Sequence, residues 1–473
     1  MGNETFVART RFTAPAERVF DLHTTPQSLP RLTPPFDPMT VVRTDGGIHE
    51  GDRTVLRIPV FGPLRVGWTA EHRGYRPPHE FRDVQVKGPF ARWEHTHRVE
   101  PDGPEACVLT DHIEYKLPFG PLGRLGRGFV QAKLARGFRW RHARMAHDLS
   151  LHAHSDTPLR VAMSGASGML GSALTALLVT GGHTVVPLVR DGRPGGIPWD
   201  VRAGELDCRE LEGFDAVVHL AGSNIGQRWT PSVREEAMQS RERGTQLIAR
   251  ALGQLKRPPR VFVSMSATGY YGHRSEPVDE SAKAGEGFLA EVCQRWEEAS
   301  RVPGVRVVNP RMGVVLSPTG GALKKMLLPF SVGLGGRLGD GRQGFPWVSI
   351  EDAVGALYWM LLEPSLEGPV NVTGPELLDN ATFTKRLGHV LRRPTLLPAP
   401  AFALRLALGE MADEALLNGV RARPNALTAS GYPFMHPTLE PALRHVLGRA
   451  APGEEQADAA PAWERKTEVQ PSV

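Results

Sequence analysis

The sequence predicts an α/β fold: a doubly wound parallel sheet with a helical carboxy-terminal subdomain, preceded by a separate α+β domain. Three observations carry this. Up to about residue 152, apolar and polar residues alternate with a period of two, as in half-buried antiparallel strands. From Leu159 onward, short apolar runs alternate with longer helical segments, the signature of βαβ units around a parallel sheet. Glycines 165, 168 and 171 follow the first of those runs and open a helix.

The chain's 473 residues are too many for one ordinary domain and suggest about three units. With 41% hydrophobic and 23% charged residues the composition is that of a globular protein. No apolar run approaches the ~18 residues of a transmembrane helix, so no membrane association is expected. The start, Met1-Gly-Asn-Glu-Thr-Phe6, reads neither as a signal peptide nor as a myristoylation site. Cys107, Cys208 and Cys293 are odd in number and far apart; they imply no disulfide framework and fit a reducing cytoplasm. The net charge of +5 rests on arginines spread along the chain, without interleaved aromatics or a recognition motif, so nucleic acid is not an expected partner.

Residues 1–153 form the first predicted domain. Alternating runs occur at Phe6–Phe12, Thr54–Phe61, Val66–His72, Glu80–Val86, Arg92–Val99 and Cys107–Leu117. A helix opens at Ala14-Pro-Ala-Glu-Arg-Val-Phe20, and a second runs from about Leu125 to His152. His154-Ser-Asp-Thr-Pro158 is a linker. Residues 159–375 form the parallel-sheet domain, with strands at Leu159–Ser164, Thr184–Val189, Ala216–Leu220 and Arg260–Ser264. Residues 376–450 are a helical subdomain, with helices expected at Ala381–Leu391 and Ala401–Met411. The final 451–473, rich in Ala, Pro and Glu, is expected to be disordered.

The segment Gly165-Ala-Ser-Gly168-Met-Leu-Gly171 lies between a strand and a helix, the context a Rossmann dinucleotide site requires. Gly165 permits the tight turn, Gly168 lets the backbone approach a pyrophosphate, and Gly171 lets the helix pack on the sheet. Amides of the helix N-terminus then face the phosphates, so the candidate cofactor residues are Gly165, Ser167, Gly168, Met169, Leu170 and Gly171. The second strand ends in Arg190 rather than an acid, which points to the 2′-phosphate of NADP(H), with NAD(H) the lesser alternative.

Gly165–Gly171, Val218-His-Leu-Ala-Gly222 and Ser264-Met-Ser-Ala-Thr-Gly-Tyr-Tyr-Gly272 resemble the extended short-chain dehydrogenase/reductases. More closely, the chain resembles an atypical epimerase-like oxidoreductase family. The matching stretches are Arg228-Trp-Thr230, Ser240-Arg241, Phe288–Glu297, Arg311–Leu316, Phe330–Gly336, Trp347–Asp352 and Pro400–Leu408. The resemblance spans about residues 159 to 447 and adds Leu220, Ala221, Gly222 and Arg311 to the candidate cofactor residues. It implies no particular substrate.

The superfamily's Tyr-x-x-x-Lys pair places a tyrosine and the lysine that lowers its pKa on one helix face. None of the six tyrosines here has lysine four residues on; Phe288 and Val292 stand where the pair is expected. Two readings follow. In one, Ser266, Thr268, Tyr270 or Tyr271, at the carboxyl end of the fifth strand, relays the proton of an unusual oxidoreductase or epimerase acting on a small molecule. In the other, the domain binds NADP(H) as a non-catalytic sensor. Arg311 and Asp352 are candidate polar partners, and Asp352 is equally a cap for the helix after it. The glycine-rich Gly333–Gly344 reads as a flexible lid or a plain surface loop.

The amino-terminal order of helix, curved sheet and long helix resembles the helix-grip fold of the polyketide-cyclase and lipid-transfer superfamily (SRPBCC), Ala14–Phe20 being its best local sign. That fold implies a cavity for a hydrophobic small molecule. Ten of the 17 histidines fall here. His95 and His97 share a strand face, but without a Cys pair or carboxylate at ligand spacing they read as solvated, and no metal is expected.

Overall fold

The computed structural model describes residues 3–61, 64–190, 192 and 194–450. It divides into two compact units, residues 1–150 with 447–450, and Leu151–Val446. The tail expected to be disordered lies outside the described residues.

The first unit is a seven-stranded antiparallel sheet in the order β1-β7-β6-β5-β4-β3-β2. Its strands are β1 (Glu4–Phe12), β2 (Thr40–Thr44), β3 (Arg53–Phe61), β4 (Leu64–Arg76), β5 (Glu80–Lys87), β6 (Arg92–Pro101) and β7 (Cys107–Lys116). Helices α1 (Ala16–Thr24) and α2 (Ser28–Arg31) lie between β1 and β2, and α3 (Arg127–His152) follows β7. This is the expected helix-grip arrangement. β7 shows its physical basis: every second residue, Cys107, Leu109, Asp111, Ile113 and Tyr115, is buried. Two apolar clusters fill the inner side, one around Phe12, Phe20, Phe81 and Leu109, the other around Phe6, Trp93, Tyr115 and Phe138.

The second unit is built on a parallel sheet of order β11-β10-β9-β8-β12-β13-β15, with β18 beyond β15. The strands are β8 (Arg160–Ser164), β9 (Thr184–Val189), β10 (Ile197–Asp200), β11 (Glu205–Leu206), β12 (Ala216–His219), β13 (Val261–Ser264), β14 (Ser266–Ala267), β15 (Arg306–Met312) and β18 (Gly368–Val372). Only β11 is antiparallel to its neighbour, and β14 extends the pairing of β13 with β15. A separate parallel pair joins β16 (Val314–Leu316) and β17 (Trp347–Ser349). The connecting helices are α4 (Met169–Thr180), α5 (Pro231–Leu252), α6 (Phe288–Ala299), α7 (Gly321–Ser331) and α8 (Ile350–Leu362). The last part holds α9 (Asn380–Leu391), α10 (Ala401–Leu408), α11 (Glu410–Ala412), α12 (Asn425–Ala429) and α13 (Leu439–Leu447).

Burial explains the change of pattern. All residues of β12 and β13 are buried, because a parallel sheet is covered by helices on both faces. Helix α8 is buried from Ile350 to Leu361, which its nearly continuous apolar sequence allows. The chain leaves β8 toward β9 and β10, then returns to β12 on the other side of β8. The carboxyl ends of β8 and β12 therefore form the switch point where open α/β sheets bind ligands.

At two places the structure favours one of two readings. Gly333–Gly344, where a flexible lid or a plain surface loop was expected, is a closely packed loop: side chains on Gly335, Gly336 and Gly344 would collide with Phe330, Leu397 and Val420. Glycine serves close approach there rather than flexibility. The cap of α8 is Ser349, whose Oγ accepts from the Asp352 amide at 3.0 Å. Asp352 instead accepts from the Met435 and His436 amides at 2.7 and 3.1 Å, tying α8 to the segment before α13. Among the described residues no helix is long and apolar enough to cross a membrane.

Candidate active site

The turn between β8 and α4 is built from backbone. Gly165 has φ of +71°, and a Cβ there would lie 2.9 Å from the Ala221 amide nitrogen. A Cβ on Gly171 would strike the Gly165 carbonyl and lie 2.8 Å from Ala166 Cα, so α4 can pass this close only with glycine. The first hydrogen bond of α4 runs from the Ser172 amide to Gly168 O at 2.8 Å. No side chain caps the helix, which leaves the amides of Met169, Leu170 and Gly171 for an anion. Ser167 and Gly168 are exposed at the mouth of the turn.

Leu220, Ala221 and Gly222 lie opposite, at the end of β12. The Ala221 amide reaches Ser164 Oγ at 3.4 Å, and Ser164 Oγ is 2.6 Å from His219 Nδ1. Burial, with help from Arg241, pushes the His219 pKa down to about 3, so the ring is a neutral hydrogen-bonding group. Arg241 was named from the sequence only within the matching stretch Ser240-Arg241, with no role given to it. Its guanidinium donates to Ala237 O and Ser223 O, both at 3.1 Å, and supports the loop after Gly222. Arg190 is exposed at the carboxyl end of β9, the strand beside β8.

The proton-relay candidates converge only in part. Ser266, Tyr270, Tyr271 and Arg311 meet through Glu297 of α6, which sequence reasoning missed. Arg311 Nε and Nη2 donate to the two Glu297 oxygens at 2.9 Å each, and Ser266 Oγ donates to Oε1 at 2.6 Å. Arg311 Nη1 donates to the Tyr271 hydroxyl at 3.0 Å, which donates to Asn371 Oδ1 at 2.7 Å. The guanidinium also lies over the Tyr270 ring, 3.5 Å from its centroid. Burial pushes the Tyr271 phenol up to about 12 against the pull of Arg311. Thr268 stands apart, its hydroxyl 3.4 Å from Met312 O. Of the four candidates, only Tyr270 is incompletely buried. An arginine inside the apolar strand β15 was itself a signal that a carboxylate must lie nearby.

Arg311 is not brought to the glycine turn. Its strand lies three places from β8, and its donors are engaged by Glu297 and Tyr271. Phe288 and Val292, at the expected place of the Tyr/Lys pair, are buried in an apolar cluster with Trp229, Ala237 and Met411. A cavity of ≈ 540 Å³ runs between α6 and the amino-terminal parts of β15 and β18, with Tyr270 and Glu297 in its wall. It lies away from the strand ends that carry the turn.

In the first unit, His95 and His97 are not solvated; each is 5% exposed. Carboxylates do accompany them: Asp83 and Asp111 sit on the flanking strands β5 and β7. A search for ligands close in sequence cannot find partners that strand pairing supplies.

Switch-point turn, uncapped α4 and sheet order together define a dinucleotide-binding Rossmann fold. Comparisons with known proteins agree. Residues 161–373 match the NAD dependent epimerase/dehydratase family, residues 12–143 match polyketide cyclase / dehydrase and lipid transport, and residues 399–446 match a domain of unknown function. An epimerase family protein of Mycobacterium tuberculosis is 45% identical over 296 residues, covering 61% of this chain and 98% of the relative. The crystal structure of a nucleoside-diphosphate sugar epimerase from Corynebacterium glutamicum superposes with a TM-score of 0.78 at 29% identity, covering 96% of this chain and 93% of that one. Human epimerase family protein SDR39U1, solved with NADPH, gives a TM-score of 0.58 at 36% identity over 61% of this chain and 99% of its own. The chain belongs to the epimerase family of short-chain dehydrogenase/reductases, with a polyketide-cyclase-type domain at its amino end.

Proposed function

We propose that the second unit is an NADP(H)-dependent oxidoreductase or epimerase-like enzyme acting on a small molecule. The observation that carries this is the uncapped α4 N-terminus behind Gly165, Gly168 and Gly171, with Arg190 exposed at the end of the adjacent strand. Gly165, Ser167, Gly168, Met169, Leu170 and Gly171 would hold the pyrophosphate, Leu220, Ala221 and Gly222 would line the dinucleotide, and Arg190 would take the 2′-phosphate. The dinucleotide supplies hydride transfer when bound. NADPH in the human relative's structure supports the choice of cofactor. Tyr270 is the preferred proton donor, being accessible while Ser266 and Tyr271 are held in the Glu297–Arg311 network and Thr268 faces a carbonyl. Arg311 acts as a positioning residue for Tyr270. Nucleoside diphosphate sugars, named for the Corynebacterium relative, are the first substrates to offer.

Titration of the full chain with NADPH and NADH, beside Arg190→Ala, tests this reading. Wild type should prefer NADPH, and the variant should lose about tenfold for NADPH alone, the 1.4 kcal/mol scale of one charged contact. Binding of neither dinucleotide would remove the proposal. The second reading, a non-catalytic NADP(H) sensor, is favoured by the apolar cluster at Phe288 and Val292. It stands if the protein binds NADPH but shows no hydride exchange that Tyr270→Phe abolishes.

For the first unit, the aromatic group of Trp68, Phe90, Trp93 and Tyr115 is where we place a small apolar ligand. Tryptophan quenching by a fatty acid checks it, and no change on titration rejects it.

A further inference from the structure

Strand pairing in the first unit gathers residues that lie far apart in sequence. His72 of β4 stands opposite Asp83 of β5, and Asp83 stands opposite His95 of β6. One step along, Phe81 stands opposite His97, and His97 opposite Asp111 of β7. Residues two apart share a strand face, so Asp83, His95, His97 and Asp111 occupy one side of the sheet, where α3 adds His142.

The distances sort these groups into an inner set and a supporting one. His95 Nδ1 is 3.0 Å from Asp83 Oδ2, and His97 Nε2 is 3.5 Å from the same oxygen. The opposite ring nitrogens, His95 Nε2 and His97 Nδ1, lie 2.9 and 2.7 Å from Asp111 Oδ1. Asp111 Oδ2 is 2.7 Å from His142 Nε2, whose Nδ1 is 2.8 Å from Thr10 Oγ1. Asp111 can only accept: His95 Nε2 and His142 Nε2 hydrogen-bond its two oxygens, whereas His97 Nδ1, though close, has no hydrogen-bond partner. His95 Nδ1 and His97 Nε2 both face Asp83 Oδ2. These nitrogens and the carboxylate can be joined by shared protons or by a metal ion in their place. One donor atom from each of Asp83, His95 and His97 lies within 4.8 Å of the other two, near the ~3.4 Å separation of ligands around a tetrahedral zinc.

A second observation points the same way. His23 Nε2 and His72 Nδ1 are buried without a hydrogen-bond partner. The His23 ring is 5.4 Å from that of His97, and His72 is the cross-strand neighbour of Asp83. Both rings therefore adjoin the cluster. Arg141, whose guanidinium bonds Leu32 O at 3.2 Å and lies over the Phe138 ring, is a buried cation within electrostatic reach of Asp111 and Asp83. Asp83, with its side chain 19% exposed, leaves a path from solvent.

We propose that Asp83, His95 and His97 form a binding site for a divalent first-row transition-metal ion, with Asp111 as the outer carboxylate that orients both imidazoles. Two imidazoles and one carboxylate suit zinc, iron(II) or cobalt(II) rather than magnesium or calcium. Three protein ligands leave positions open for water or an added ligand. The polar centre thus lies among the apolar clusters of the same sheet face.

The test uses tag-free, full-length protein stripped with chelator and titrated with Co²⁺, read by visible absorption and calorimetry. Wild type should bind one equivalent at micromolar affinity or tighter and show the absorption of low-coordinate cobalt. Asp83→Asn and His97→Ala should lose that absorption; Asp111→Asn should weaken binding by about 10–100-fold, the range for an outer-shell carboxylate. Circular dichroism confirms that each variant is folded, and the near-isosteric Asp83→Asn guards against collapse of His97→Ala. Absence of Co²⁺ uptake by wild type, or uptake unchanged in folded Asp83→Asn, overturns the proposal. In that event the cluster is a metal-free set of close contacts between the two histidines and the two aspartates.

Discussion

At the carboxyl edge of the parallel sheet, the α4 turn is made of backbone, shaped by three glycines within seven residues. On the inner face of the antiparallel sheet, the cluster around Asp111 is made of side chains drawn from β5, β6, β7 and α3. Two buried histidines of the second unit contrast with three of the first. His183 and His219 are buried without a carboxylate: His183 accepts from the Leu159 amide at 3.0 Å, and His219 meets Ser164. His95, His97 and His142 each touch an aspartate. A backbone site tolerates most changes of side chain but not an added Cβ. A side-chain cluster is vulnerable at whichever residue its partners share.

The largest expected effect follows from that shared residue. Asp111→Ala removes the acceptor facing three buried histidines, and loss of one partner from such a group costs about 3–5 kcal/mol. Denaturant unfolding followed by tryptophan emission measures it; a loss under about 1 kcal/mol would mean that the cluster is not held by Asp111. The backbone site is probed by Gly171→Ala. Its Cβ would strike backbone, so about 1–3 kcal/mol of stability should go, and NADPH affinity should fall with it. Wild-type affinity in that variant would show that α4 need not approach the turn so closely.

The smallest effect sharpens the contrast between histidines. Burial, with a contribution from His152, lowers the His183 pKa from 6.5 to about 4, and burial lowers that of His219 to about 3. Each takes up its proton more readily when unfolded, so stability is present above about pH 6.5 and drains away as pH falls toward 4. Between pH 7 and 5.5 each should remove about 1 kcal/mol. Thermal midpoints across this range should flatten in His183→Gln. An unchanged slope in that variant would clear His183 of the effect.

The turn was legible because its parts are contiguous: strand, glycines and helix announce themselves within some twenty residues. Arg190 was legible for the same reason, following directly on the second strand. Glu297 was not, since nothing local marks it; it matters because Arg311 is buried and needs a carboxylate. The segment Gly333–Gly344 read as loose because glycine permits flexibility, yet its glycines admit Phe330, Leu397 and Val420 at close range. Composition alone does not distinguish freedom from close contact. Asp352 read as a cap because acids favour helix starts, but Ser349 lies at the cap position and Asp352 one turn inside.

By itself the sequence determined both fold classes and the dinucleotide turn. Periodicity and glycine conformational freedom act over a few neighbouring residues. Tertiary structure alone decided which titratable side chains meet. It gathered Asp83, His95, His97 and Asp111 from three strands, and locked Tyr271 and Ser266 to a network through Glu297. Strand register and helix packing set those distances, and both arise from contacts between residues remote along the chain.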